Sequence, residues 1–164
     1  MWYVIQVKTG EENGIARKLK NQAIRAEVPI ENRPIRSGGA WTKKEYILFP
    51  GYVFLDMDFT ARNYYRVKEV PGVIRFLGDS KAPSTLSYLE AEWIRILSGN
   101  GEPLEPTLVR EDGSGGITVI SGVLKQLENR VLKWDKRSRK ATFEITICGE
   151  ARQVQLGIEV EGGG

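Results

Sequence analysis

The sequence predicts an α+β fold in two parts: an α/β sandwich of helices on an antiparallel sheet over residues 1–98, and a small five-stranded β-barrel over 115–164. Three observations predict it. Strand-like and helix-like periods alternate through the first part. Residues 98–116 are dense in Gly, Pro and charge with no sustained apolar period, so 99–114 reads as a linker. Five short β-rich runs then follow, the mark of a small barrel. A length of 164 residues and an apolar content of 41% suffice for packed cores.

Each element has its own reason. Residues 2–7, Trp-Tyr-Val-Ile-Gln-Val, are β-branched and aromatic and read as a strand closed by Thr9-Gly10. Glu11 and Glu12 stand ahead of Ile15, Ala16, Leu19, Ala23 and Ile24, whose spacing gives one apolar helical face with acids in the first turn. Arg17, Lys18, Lys20 and Arg25 take the other face. A strand over 28–34 and a Gly-bearing excursion with Arg36, Trp41, Lys43 and Lys44 lead to Leu48-Phe49-Pro50-Gly51-Tyr52-Val53-Phe54. A second Pro-Gly edge follows at Val70-Pro71-Gly72-Val73-Ile74-Arg75-Phe76-Leu77-Gly78. Both edges border apolar runs with alternating aromatics, so they read as the strand edges of an aromatic platform. Residues 62–70 offer a short helix, and Ser87-Tyr88-Leu89-Glu90 has the form of a capping box opening a third helix through Leu97. The barrel strands are expected at 117–120, 129–134, 141–147, 152–156 and 158–160, with Gly162, Gly163 and Gly164 as a frayed end.

Composition removes most chemistry. No histidine is present, which takes away the commonest general base and transition-metal ligand, and the single Cys148 has no internal disulfide partner. No cofactor or metal is expected. No apolar run approaches the roughly eighteen residues of a membrane span, and the N-terminus carries no leader pattern, so a cytoplasmic protein without a membrane partner is expected. Asp56 and Asp58 flank Met57 without a partner motif and read as solubilising charges, so no enzyme is expected. Net charge is only +3, but its distribution is uneven. Residues 1–112 hold 16 Lys+Arg against 15 Asp+Glu, and residues 113–164 hold 8 against 6. Five of those eight, Lys133, Lys136, Arg137, Arg139 and Lys140, crowd the tip between two expected strands. Clustered cations at a hairpin tip project together and attract polyanions, and arginine's fork suits phosphates and guanine edges. Trp134 beside them either stacks on a base or fills the barrel core.

Taken together, Trp2-Tyr3-Val4, Gly10-Glu11-Glu12, Phe49-Pro50-Gly51-Tyr52-Val53, Val70-Pro71-Gly72-Val73 with Phe76 and Gly78, and the helix after Leu86-Ser87 resemble the NGN domain of the NusG family of transcription elongation factors, in order and spacing. The second part is similar to the family's SH3-like KOW barrel. It departs from the pattern where a KOW loop has Gly-Pro-aromatic leading to a glycine: here Gly122-Val123-Leu124 leads to Asn129, a residue that tolerates the left-handed backbone. The short start at Met1-Trp2-Tyr3, this loop and the basic tip resemble a specialised, operon-targeted paralogue of the LoaP type.

The resemblance implies a monomeric bacterial protein that sits at the nucleoid through RNA polymerase. It implies that Tyr52, Phe54 and Phe76, with Pro50 and Leu77 beside them, dock on the polymerase clamp helices. The residues alone leave this open, since alternation puts Tyr52 and Phe54 on one strand face and Val53 and Leu55 on the other, and one face must cover the helices. Asn63, Tyr64 and Tyr65, next to Arg66, fall where the family reaches the opposite pincer; the plain alternative is an amphipathic helix with Val67 and Val70 inward. Bridging both pincers would hold the clamp closed and favour processive transcription. Arg17, Lys18 and Lys20, near Lys8, match the region that meets non-template DNA, although cations on a helix exterior are most often solvated. Arg36, Trp41, Lys43 and Lys44 either stack on a base or a neighbour or fold back on their own domain. The expected function is antitermination guided by an RNA hairpin at the basic tip; the alternatives are a general pausing or termination factor, and a ribosome-associated RNA-binding protein. For the KOW part, contact with Rho or a ribosomal protein is the other implied partnership. Because Thr142-Phe143-Glu144-Ile145-Thr146-Ile147 alternates with β-branched residues, a permanent barrel is expected, not a helical form.

Overall fold

The computed structural model describes residues 1–79 and 82–162, so Gly163 and Gly164 of the expected frayed end lie outside the described residues. Along the chain run β1 (Trp2–Val7), α1 (Glu12–Asn21), β2 (Arg25–Glu27), β3 (Ile30–Ser37), β4 (Ala40–Ile47), β5 (Tyr52–Asp56), α2 (Ala61–Lys68), β6 (Val73–Phe76), α3 (Tyr88–Leu97), β7 (Thr107–Glu111), β8 (Ile117–Ser121), β9 (Val131–Asp135), β10 (Lys140–Ile147) and β11 (Glu150–Val160). They form two units: Met1–Val28, Phe49–Arg95 and Ile147–Glu150 make the first, and Pro29–Leu48, Ile96–Thr146 and Ala151–Gly164 the second. Residues 29–48, which the sequence assigns to a first domain ending at 98, thus cluster with the barrel strands.

The first unit is built on an antiparallel sheet ordered β2-β5-β1-β6. One face carries Tyr3, Ile5, Val7, Val53 and Leu55 into a core shared with Ile15, Ala16 and Leu19 of α1 and Val67 of α2. On the other face Val4 lies opposite Phe54, and Phe54 meets Phe49 edge-on at 5.3 Å. Trp93 and Ile94 of α3 are buried as well. The capping box is as the sequence predicts: Ser87 N donates to Glu90 Oε1 at 2.9 Å and Glu90 N donates to Ser87 Oγ at 3.1 Å. α1 is shorter than its apolar spacing predicts. It stops at Asn21, and exposed Ala23 takes φ 63° in a left-handed cap where Ile24 N donates to Leu19 O at 3.0 Å.

The Pro-Gly edges have a tertiary purpose. Gly51, at φ 85°, donates its N–H to Glu12 Oε2 at 2.9 Å, and the other oxygen of that carboxylate accepts from Gly10 N at 2.6 Å. Glu12 is 1% exposed, so it serves as an internal brace between the start of α1 and the β5 turn, not only as a dipole-complementing acid. Gly72, at φ 96°, lies so close to α1 that a Cβ there would come within 2.7 Å of Glu11 Oε2.

The second unit joins the β3–β4 hairpin, turning at Gly38-Gly39, to a curled five-stranded sheet ordered β8-β7-β11-β10-β9. Two strand expectations are corrected. β7 arises inside the stretch read as linker, where it pairs antiparallel with β8 and parallel with β11. The runs expected at 152–156 and 158–160 are one continuous strand, β11. Asn129 sits in a 3-10 turn, Glu128–Arg130, without positive φ; the left-handed residue of that loop is Gly122, at φ 110°. Between hairpin and sheet, Glu31 is 2% exposed, accepting from Gly157 N at 2.8 Å and from Arg33 Nε. Gly157 is needed there, because a Cβ would fall 2.5 Å from Pro34 Cδ.

Candidate functional site

Strand register separates the aromatic residues expected to form one docking face. Gln6 lies opposite both Tyr52 and Arg75, whereas Ile5 lies opposite Val53 and Phe76. Tyr52 and Phe54 therefore share one face of the sheet and Phe76 lies on the other. Both faces are covered by side chains, so the choice of a single face covering the helices does not arise: Phe54 is 0% exposed and Phe76 7%. Of the rest of that set, Tyr52 and Leu77 are half-buried and Pro50 is exposed.

Phe76 belongs instead to an aromatic cluster around α2. Its ring stacks on Tyr64 at 5.4 Å and meets Phe59 and Tyr3 edge-on at 6.4 and 6.3 Å. Burial, with Asp58 nearby, raises the Tyr3 hydroxyl above its ordinary pKa. Thr60 caps α2 by accepting from Asn63 N at 3.1 Å, and Asn63 Nδ2 donates to Asp58 O at 2.9 Å. Asn63 thus braces the helix start, and the exposed parts of the cluster are Tyr65, at 61%, and Phe59, at 44%. Phe59 escapes sequence reasoning, although an aromatic wedged between Asp58 and a capping Thr60 is the signal that points to it.

The expected nucleic-acid cations lie on three surfaces. In the first unit Arg17, Lys18 and Lys20 are exposed on α1, and Lys18 faces Arg66 and Glu69 across a groove of about 420 Å³. In the second unit the β3–β4 hairpin carries Arg36, Lys43 and Lys44, and the β9–β10 tip carries the remaining five. Some of these charges are engaged. Lys43 Nζ bridges Glu105 at 2.9 Å and Glu159 at 3.8 Å; its hydrogen bond to Glu105 raises its pKa, while Asn32 first and Lys43 second hold the Glu105 carboxyl low. Lys136 pairs with Glu111, and the Lys44 ammonium lies 5.6 Å from the Tyr46 ring centroid. Lys133 and Arg137 are exposed.

Tip and hairpin meet at Trp41. Arg139 adopts φ 56°, and its guanidinium lies 4.0 Å from the Trp41 ring centroid; that of Arg36 lies at 5.9 Å. Trp41 thus folds back onto its own unit while remaining half-exposed. Beside it a groove of about 620 Å³ is lined by Pro34, Ile35, Arg36, Trp41, Arg137 and Lys140, with Asp135 and Ser138 at the turn. Asp135 Oδ1 accepts from Ser138 N at 3.0 Å, the chief reason its pKa falls below the ordinary carboxylate value. Trp134 is opposite buried Ala141, so it is turned toward the core side and half-buried.

Comparison with known proteins agrees with this architecture. The family model described as transcription termination factor NusG matches residues 1–95. A transcription termination/antitermination protein NusG of Helicobacter pylori J99 is 28% identical, with 94% of this chain and 93% of that protein covered. The corresponding protein of Buchnera aphidicola is 29% identical, over 94% and 91% of the two chains. A solved structure of Thermotoga maritima NusG shares the fold, with a TM-score of 0.58, 23% identity and coverage of 96% of this chain and 93% of that one. With more than half of its length matched by the family model, this chain belongs to the NusG family of transcription termination/antitermination factors.

Proposed function

We propose that this protein is a specialised NusG paralogue of the LoaP type, an antitermination factor that binds RNA polymerase through its first unit and is directed to its operons by an RNA hairpin. The observation that carries the targeting is the β9–β10 tip, where Lys133, Lys136, Arg137, Arg139 and Lys140 fall within eight residues. Such density exceeds what solubility requires of a hairpin turn, and phosphate contacts from it would dominate affinity. Leu124, in the loop where a KOW barrel presents an aromatic, is 0% exposed, which weighs against recognition of Rho or a ribosomal protein through that loop.

For the polymerase, exposed Tyr65 and Phe59 and half-buried Tyr52 supply the aromatic anchors that interfaces use. Contacts on both sides of the polymerase cleft would disfavour the open, paused state, and the protein would raise processivity without catalysing a reaction.

The test is a salt titration of the purified chain with nascent-leader RNA hairpins, comparing wild type with the double variant Lys133→Ala, Arg137→Ala. Hairpin-specific binding that weakens in the variant is expected, with a shallower dependence of log K on log salt. Weak binding that ignores RNA sequence would instead make the protein a general pausing or termination factor recruited by polymerase alone.

A further inference from the structure

Trp41 occupies a position that a folding requirement does not explain. It lies on β4, whose residues are exposed or half-buried throughout, so the indole fills no core. What surrounds it is cationic. Arg36, Arg137 and Lys140 line the groove beside the ring and have no acidic partner among the described residues, whereas Lys43 and Lys136 nearby are neutralised by Glu105, Glu159 and Glu111. Asp135, the one acid in the groove lining, already accepts the Ser138 N–H. The indole itself is held in place: Arg139 covers it at 4.0 Å, and the Arg139 carbonyl accepts from Ile158 N at 3.0 Å. Arg139 itself sits at φ 56°, the left-handed residue that closes the β9–β10 turn.

A half-exposed aromatic in a cationic groove is the arrangement that tracks single-stranded nucleic acid, the ring taking a base and the cations its phosphates. The groove, at about 620 Å³, lies within the range of small-ligand sites and admits a nucleotide, but a paired base inside a duplex cannot reach the ring. We infer that this groove is a binding site for an unpaired nucleotide, a looped-out or bulged base that stacks on Trp41 while Arg36, Arg137 and Lys140 hold the flanking phosphates. Arg139 is a positioning residue that fixes the indole. The inference rests on the reading of the basic tip as a nucleic-acid surface and adds the feature that surface recognises: an unpaired base, not the helical stem alone.

The experiment uses the full chain and fluorescein-labelled stems that either carry one bulged nucleotide or are fully paired, each made as RNA and as DNA. Fluorescence anisotropy across a salt series is expected to show the bulged stem bound about tenfold tighter than the paired one. Trp41→Ala should erase that preference and leave the salt slope unchanged, and Trp41→Phe should keep most of it. Arg137→Ala should lower the slope by about one unit. The RNA and DNA arms identify the source of the nucleotide, a transcript or a displaced DNA strand. A 5-iodouridine bulge should photo-crosslink to residue 41 of the wild-type chain, a readout that stands even where Trp41→Ala does not fold. Retention of the bulge preference in Trp41→Ala, or crosslinks confined to other residues, would overturn the inference. Equal binding of bulged and paired stems would overturn it too while leaving stem recognition by the tip intact; no specific binding of any stem would remove both.

Discussion

Two buried glutamates show what single residues contribute. Glu31, 2% exposed, satisfies the Gly157 N–H and pairs with Arg33, so Glu31→Ala strands a buried donor and removes the carboxylate partner of Arg33, which keeps the Gln155 carbonyl at 3.4 Å and the Tyr46 ring. The expected cost is about 2–4 kcal/mol, read from urea unfolding, with Glu31→Gln losing less because it keeps an acceptor. Glu12 has the same role for Gly10 and Gly51. Phe54 and Tyr65 make a complementary pair. Phe54→Ala should destabilise by about 3–5 kcal/mol because it empties a 0%-exposed position, whereas Tyr65→Ala, at 61% exposure, should change stability by less than about 1 kcal/mol. Retention on immobilised polymerase should be lost in Tyr65→Ala combined with Tyr52→Ala while the fold persists. If that variant binds polymerase as wild type does, the aromatic docking surface lies elsewhere. The sequence shows that Pro50-Gly51 and Pro71-Gly72 punctuate strands, since their backbone preferences are local. It does not show that Glu12 reaches Gly51, because that contact closes over 39 residues.

At the level of elements, legibility follows the range of the interactions that make each one. The Ser87–Glu90 capping box is readable because both its hydrogen bonds span three residues, and Ser87→Ala should cost about 1 kcal/mol in a thermal melt. β7 is hidden in a Gly- and Pro-rich stretch because Thr107–Glu111 is a strand only through pairing with β8 and, 51 residues on, with β11. The expected docking face divides for a related reason: alternation assigns Tyr52 and Phe54 to one side of β5, but only the register through β1 shows Phe76 on the opposite side. Likewise the hairpin cations and the tip cations are read as separate groups until Arg139 is seen over Trp41. The position of β7 between β8 and β11 has a direct consequence. A fragment 105–164 should fold to a β-structured unit, whereas 113–164, lacking β7, leaves β8 without a partner in the sheet and Leu124 N without its acceptor, Thr107 Oγ1. Dispersed amide spectra for the longer fragment and collapsed ones for the shorter are expected; equal dispersion would show that β7 is dispensable.

For the whole molecule the charge pattern fixes how stability responds to pH. With no histidine in the chain, no imidazole titrates near neutrality, and the perturbed groups fall at the two ends of the scale. On the acid side Glu92, Glu105, Asp112 and Asp135 are held below ordinary carboxylate values, chiefly by hydrogen bonds from Arg95, Asn32, Ser114 and Ser138 respectively. A carboxyl whose pKa is lower folded than unfolded adds stability that is present above the unfolded value, about 4, and is lost as pH falls through the folded one. On the alkaline side Lys43 is raised by its hydrogen bond to Glu105 and Tyr3 by burial, so their contributions are complete below the unfolded values, about 10, and fade as pH rises further. Of these carboxyls Glu92 lies in the first unit and the other three in the second, so acidification weakens both units. Thermal melts of the full chain should therefore show a plateau from about pH 5 to 9 and a decline below about pH 4. Glu105→Gln should lower the plateau but lose less than wild type between pH 7 and pH 3, because the group that titrates has been removed. An acid limb as steep in that variant as in wild type would place the acid sensitivity in other carboxylates.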